Sequence, residues 1–324
     1  MSRIISYREA LKEALVTQLD ADPSVLLIGE DIGQYGGAFG VTRGLIEKYP
    51  DRLIETPISE NSFVGVALGL ATDGMRPVVE IMFSDFVTLA MDQIVNHAAK
   101  VHYMYAGQLK APMVIRLPSG GGRGYGASHS QNFEAWFSHV PGLTVLYPSS
   151  PADAKGLLMS AIEYDNPVIF FENKLLYDVK GDVPEEPYRT PIGKCRIVRP
   201  GDDLTIISYG RMVNVAENAA EELSEHGVSV EVLDLRSLRP IDEEGIRESV
   251  MRTGRLAIVS EAAPRVGIAA EVAAIVAEQC FDYMTAPVIR ISAADTPIPS
   301  ATRLENKIFP TSDSVVDAIS DVLL

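Results

Sequence analysis

Along the first half of the chain, short and nearly continuous apolar runs alternate with longer segments whose apolar residues recur at helical spacing. Residues 25–28, 78–82, 113–117, 144–147 and 168–171 are rich in Val, Ile, Leu and Phe. Strands apolar on both faces belong to a sheet that is covered on both sides. Residues 61–72, 84–105 and 152–164 have the length and period of helices, and strand–helix alternation of this kind predicts a doubly wound, mostly parallel α/β sheet. Ahead of it, the opening residues predict an amphipathic helix capped by Ser6, with Glu9 three positions on to complete a capping box.

Between about Tyr177 and Gly201 the pattern stops. The run Asp178-Val-Lys-Gly-Asp-Val-Pro-Glu-Glu-Pro-Tyr-Arg-Thr-Pro is charged and rich in proline, which predicts a linker. A second alternation follows, with strands at 204–208, 229–233, 256–260 and 288–291 and helices at 213–226, 243–252 and 268–281. The expected organisation is a first α/β domain over 1–177, a linker over 178–201 and a smaller α/β domain over 202–324. No internal repeat or low-complexity segment interrupts either alternation.

With 324 residues, 47% of them hydrophobic and 22% charged, the chain can bury two ordinary cores. Its longest apolar runs fall short of the ~20 residues that span a bilayer, and the opening segment has no apolar stretch typical of a signal peptide. Cys195 and Cys280 fit no zinc or redox spacing, which points to a reducing compartment and a cytoplasmic protein. A formal charge of −16 argues against nucleic acid or an anionic membrane as partner and favours a basic protein surface, although acidic surfaces also serve solubility alone.

Three segments could carry chemistry. Gly29–Gly40 and Gly120–Gly126 are glycine-rich, yet neither has the P-loop sequence or the strand–turn–helix setting of a phosphate cradle. Glu60, in Glu55-Thr-Pro-Ile-Ser-Glu60, opens a small and apolar helix on which Gly65 and Gly69 are four residues apart. A carboxylate there can simply complement the helix dipole. Interior glycines cost a helix roughly 1 kcal/mol each relative to alanine, so a pair on one face predicts close packing by another backbone, and an intersubunit contact there would bury Glu60. His129, in Gly126-Ala-Ser-His-Ser-Gln, is either a surface donor or a group that exchanges protons near neutrality. The other histidines lack the companions of a metal site.

Taken together, these segments resemble the β subunit of the thiamin-diphosphate-dependent E1 component of 2-oxo acid dehydrogenase complexes, of the pyruvate or branched-chain type. The stretches that carry the resemblance span nearly the whole chain. They are Gly29-Glu-Asp-Ile with the following Gly36-Gly-Ala-Phe-Gly-Val-Thr-Arg-Gly-Leu, Thr56-Pro-Ile-Ser-Glu60, Met91-Asp-Gln-Ile-Val-Asn-His-Ala-Ala-Lys100 and His129-Ser-Gln. Pro151-Ala-Asp-Ala-Lys-Gly-Leu-Leu, Asn166-Pro-Val-Ile-Phe-Phe-Glu172, Asp234-Leu-Arg-Ser-Leu-Arg-Pro-Ile-Asp242 and Asp295-Thr-Pro-Ile-Pro299 complete the set.

The resemblance implies a transketolase-like pyrimidine-binding domain followed by a transketolase C-terminal domain. It implies that Glu60 shares a proton with N1′ of the cofactor's aminopyrimidine, that Met82 and Phe86 line that ring's pocket, and that His129 serves acyl transfer to lipoamide. It also implies a potassium ion held mainly by backbone oxygens at Met113, Ala161, Ile162, Tyr164 and Asn166, with Tyr164 standing where an acidic residue is often found. The Gly-Asp-Gly segment and downstream Asn pair that hold magnesium and the diphosphate do not occur in the sequence. The resemblance therefore implies an α subunit that supplies them in an α2β2 heterotetramer, and an E2 acyltransferase docked through its peripheral subunit-binding domain. An acetoin dehydrogenase β subunit, or a mainly structural subunit that docks E1 to E2, are the alternatives.

Overall fold

The computed structural model describes residues 2–323. They form two compact units, one of residues 2–119 with 136–192 and the other of residues 120–135 with 193–323. In the first unit the strands are β1 (Ser2–Ser6), β2 (Val25–Gly29), β3 (Leu53–Glu55), β4 (Arg76–Glu80), β5 (Val114–Ser119), β6 (Thr144–Leu146), β7 (Val168–Asn173) and β8 (Lys180–Pro184). The strands of its main sheet run in the order β6-β7-β5-β4-β2-β3, all parallel. Five predicted strands are found, each shifted by no more than two residues at an end.

The opening helix, Tyr7–Ala21, has the full capping box: the Ser6 hydroxyl accepts the Glu9 N–H, and the Glu9 carboxylate accepts the Ser6 N–H. Its apolar face, Tyr7, Leu11, Ala14, Leu15 and Leu19, joins Leu157, Leu158 and Ile162 of the Pro151–Glu163 helix in one core with Val25, Leu27 and Val168 from the sheet. Burial of these side chains, at about 25 cal/mol per Å² of apolar surface, is what holds the layer on the sheet.

Two expectations for this unit are corrected. Residues 84–105 are not one α-helix but a 3₁₀ segment (Ser84–Ala90), a π segment (Asp92–Ala98) and a short α turn (Val101–Met104). The Ala99 N–H bonds to the Ile94 carbonyl, one residue wider than an α turn. The Ala99 carbonyl in turn lies where a Cβ on Gly142 (φ +99°) would stand, so tight packing overrides the helical period. The predicted linker, 178–201, contains two strands: β8 pairs antiparallel with β1, and β9 (Arg196–Arg199) pairs antiparallel with β11 (Val230–Asp234). Both are edge strands that carry charged residues, exposed in β8 and half-buried in β9, the composition that reads as a loop.

In the second unit, β9, β10 (Leu204–Ser208), β11 (Val230–Asp234), β13 (Leu256–Ser260) and β14 (Ile289–Ser292) form a 5-stranded sheet in the order β14-β13-β10-β11-β9; a short strand, β12, occupies Ser237–Arg239. Helices Met212–Glu225, Glu243–Thr253 and Ile268–Gln279 match the predicted ones to within two residues at each end. A helix at Ser312–Leu323 adds Val315 and Ile319 to the core. Both cysteines are free thiols. Among the described residues no helix is long and apolar enough to cross a membrane.

Candidate active site

Parallel strands deliver the residues that follow them to one edge of a sheet. Gly29 is in register with Glu55 on one side and Glu80 on the other, so the chain leaves β2, β3 and β4 at the same level. Glu30 follows β2 directly, Glu60 opens the helix reached from β3 by four residues, 56–59, and Met82 lies two residues beyond β4. Glu30 and Glu60 are 3% and 4% exposed, an unusual pair of carboxyls to bury.

Glu30 accepts the Met82 backbone N–H, while its Oε2 is buried without a hydrogen-bond partner among the described residues. Burial pushes its carboxyl up to about 7, the charge of Glu60 adds to this, and the bond from Met82 opposes it without prevailing. Glu60 sits in the first turn of Glu60–Thr72, whose N-cap residue Ser59 makes no side-chain capping bond. Its burial corrects an expectation: this chain covers Glu60 by itself, with no second subunit needed for that step. Gly69, by contrast, has nothing within 4 Å of where a Cβ would stand, and Val66 is exposed, so one side of the helix is bare.

Met82 and Phe86 are half-buried. Phe86 makes an edge contact with Phe83 at 6.1 Å between ring centroids, and Phe83 contacts Phe39, which stacks on Tyr177. The apolar wall is thus rigidly backed. Behind it Arg116, 1% exposed, bonds both oxygens of Glu172 and one of Glu80. The glycines of the 29–40 segment serve this packing: a Cβ on Gly37 (φ +78°) would lie 2.5 Å from the Glu80 carboxylate. That segment is a packing turn around a buried ionic group.

His129 belongs to the second unit, although its position in the chain assigned it to the first domain. Its ring Nδ1 lies 3.0 Å from the Ser128 hydroxyl, and its backbone N–H bonds the Gly126 carbonyl. The glycine-rich loop before it is held by acids that come much later in the chain. Gly121 N–H donates to Glu261, and Gly122 and Gly124 N–H donate to Glu305. Amides that could have cradled a phosphate are therefore already engaged.

Four of the five carbonyls expected to hold potassium, those of Met113, Ala161, Ile162 and Tyr164, are engaged as well. Arg76 Nη1 donates to the Ile162 and Tyr164 oxygens at 3.0 and 3.2 Å, Val168 N–H donates to Met113 O, and Tyr164 N–H to Ala161 O. Asp165 orients the same guanidinium at 2.8 Å. A resident cation already neutralises two of these oxygens. No cluster of three or more metal-ligating side chains occurs among the described residues.

Residues 3–180 match the transketolase pyrimidine-binding domain and residues 193–315 the transketolase C-terminal domain. The chain is 47% identical over 319 residues, 97% of its own length and 85% of the other's, to pyruvate dehydrogenase E1 component subunit beta-2, mitochondrial, of Oryza sativa subsp. japonica. The chain belongs to the E1 β-subunit family of 2-oxo acid dehydrogenase complexes. It is a β subunit of a thiamin-diphosphate-dependent E1 component. Subunit beta of the acetoin:2,6-dichlorophenolindophenol oxidoreductase of Bacillus subtilis (strain 168) is 43% identical over 336 residues, covering 100% of this chain and 98% of that one. Among solved structures, a split-gene transketolase described as an inactive β4 tetramer superposes with a TM-score of 0.82 at 27% identity, over 98% of each chain.

For this E1 β subunit, sequence reasoning singled out Glu60, Met82 and Phe86 and the structure puts all three on one unit, Glu60 and Met82 both acting on Glu30. It missed Glu30 itself, although an acid directly after a fully apolar strand was a usable signal. It could not find Glu261 or Glu305, whose significance lies only in what they touch.

Proposed function

We propose that this E1 β subunit supplies Glu60 as the carboxyl that shares a proton with N1′ of the thiamin diphosphate aminopyrimidine, in an α2β2 enzyme that decarboxylates a 2-oxo acid and acylates lipoyl-E2. The observation that carries the proposal is the buried Glu30–Glu60 pair, in which Glu30 Oε2 has no hydrogen-bond partner among the described residues. Burial, with the charge of Glu60 adding to it, lifts the Glu30 carboxyl to about 7, so Glu30 retains a proton near neutral pH beside Glu60. That proton is what an aminopyrimidine nitrogen needs. Met82 and Phe86 give the ring an apolar edge and an aromatic face and exclude water from the shared proton. When bound, the cofactor supplies the carbon nucleophile and the electron sink for cleavage next to a carbonyl.

His129 acts at the later stage, giving a proton to the dithiolane sulfur as the acyl group leaves for lipoamide. Magnesium and the diphosphate are held by the α subunit. The Arg76 guanidinium on the Ile162 and Tyr164 oxygens stands where a potassium ion would, so no potassium ion is part of this reading. The acidic chain suits a basic E2 peripheral domain, an attraction that weakens with salt. Pyruvate or a branched-chain 2-oxo acid is the proposed substrate. Acetoin is a second reading, favoured by the full-length match to the Bacillus subtilis subunit.

Glu60→Gln in the reconstituted α2β2 enzyme is expected to reduce proton exchange at the cofactor's reactive carbon by at least ~100-fold, while calorimetry still shows thiamin diphosphate binding. Exchange at the wild-type rate refutes the assignment. Turnover of pyruvate, 3-methyl-2-oxobutanoate and acetoin by the wild-type tetramer decides the substrate.

A further inference from the structure

Gly120, Gly122, Gly124 and Gly126 all have positive φ, and the loop they shape turns its backbone N–H groups inward. Successive amides arranged in this way make a concave nest for an anion. Here the anions are side chains of the same unit. Glu305, fully buried, accepts Gly122 N–H at 2.8 Å on one oxygen and Gly124 N–H at 2.7 Å on the other. Glu261, 4% exposed, accepts Gly121 N–H at 2.9 Å on Oε1, and its Oε2 is held by Arg211 Nε at 3.2 Å. The Glu261 carbonyl takes Asn132 Nδ2 at 3.2 Å, so it grips the chain on both sides of His129. The fit leaves no room for a side chain at Gly121, where a Cβ would stand 2.3 Å from the Phe309 ring.

We propose that Glu305 and Glu261 are positioning residues for acyl transfer: they fill the nest with carboxylate and thereby fix the loop whose end carries His129. This rests on the role given to His129 above. Charge-assisted bonds to backbone amides are stronger than neutral ones, and three of them on one short loop set its conformation more firmly than its own sequence could. A loop of glycines left to itself samples many conformations. His129, tied to the loop through the Gly126 carbonyl and oriented by Ser128, inherits the order the two acids impose.

The test uses the assembled α2β2 enzyme with Glu305→Ala, which empties the nest, and Glu305→Gln, which keeps one strong acceptor. In Glu305→Ala, hydrogen exchange at Gly122 and Gly124 is expected to quicken by about tenfold or more. Acylation of a free lipoyl domain should fall by about tenfold relative to decarboxylation coupled to an artificial dye, with Glu305→Gln intermediate in both. Millimolar formate, a carboxylate small enough to enter the nest, should restore slow exchange and acylation in Glu305→Ala while leaving wild type unchanged. Unaltered exchange at the two amides, or equal loss of the dye-coupled and lipoyl-coupled rates, overturns the proposal. A wild-type enzyme that never acylates the lipoyl domain would instead sink the functional reading, since the exchange measurement still reports the clamp.

Discussion

Glu134 has no part in the proposed chemistry, yet it shows what burying a carboxyl does to this molecule. It is fully buried, with Oε1 accepting the Tyr209 hydroxyl at 2.8 Å and Oε2 unpaired among the described residues. Burial raises its carboxyl to about 7; a backbone N–H and the Tyr209 bond pull the other way and lose. A carboxyl whose folded value lies above its unfolded value gives stability that is complete below the unfolded value, near 4.5, and lost as pH climbs to about 7. Glu30 has the same sign over the same window. Urea melts of wild type between pH 4.5 and 7.5 should lose about 3 kcal/mol that Glu134→Gln does not lose. An identical slope in both proteins counts against this account of Glu134.

The central strands were legible because burial on both faces makes them mostly apolar: β2, β10, β11 and β13 are buried throughout. Edge strands were not. β1 and β8 keep exposed and charged positions that resemble loop composition, and only their mutual pairing makes them strands. The 84–105 segment failed for another reason: its apolar spacing is helical, but the demand for close approach at Ala99 and Gly142 changes the backbone hydrogen bonding. The Glu60–Thr72 helix was read correctly, but of the two glycines on its predicted bare face only Gly69 is bare, Gly65 being covered by the Gln93 side chain. Gly69→Ala is expected to stabilise the isolated chain by up to about 1 kcal/mol, since a methyl group there meets nothing and glycine is the poorer helix former. Gly69→Leu should fold equally well but fail to form the α2β2 tetramer, as sizing with light scattering would show. A normal tetramer from Gly69→Leu means this side is not a subunit contact.

At the scale of the whole chain, Glu60 was legible as a motif and partly as physics. Its neighbour Glu30 and the acids at 261 and 305 were not, because a side chain's environment is assembled from segments that no local pattern links. Domain limits show the same thing. A reader of the linear pattern places 120–135 with the first domain, but the contacts of that loop lie with residues beyond Gly193. The glycine loop and its acidic partners are more than 130 residues apart. During synthesis, Gly120–Gly126 leaves the ribosome long before Glu305 does, and domains form as their segments emerge. The nascent chain must therefore carry this loop unanchored through much of translation. Ribosome-bound chains halted near residue 300 should be cut by trypsin after Arg123, an exposed position, whereas released full-length chains resist. Equal cutting of both would show that the loop is set without Glu305. The order of emergence makes the glycine loop ahead of His129 wait for Glu305, so a translation product that stops before Glu305 can hold every strand of the finished protein and still lack the clamp on that loop.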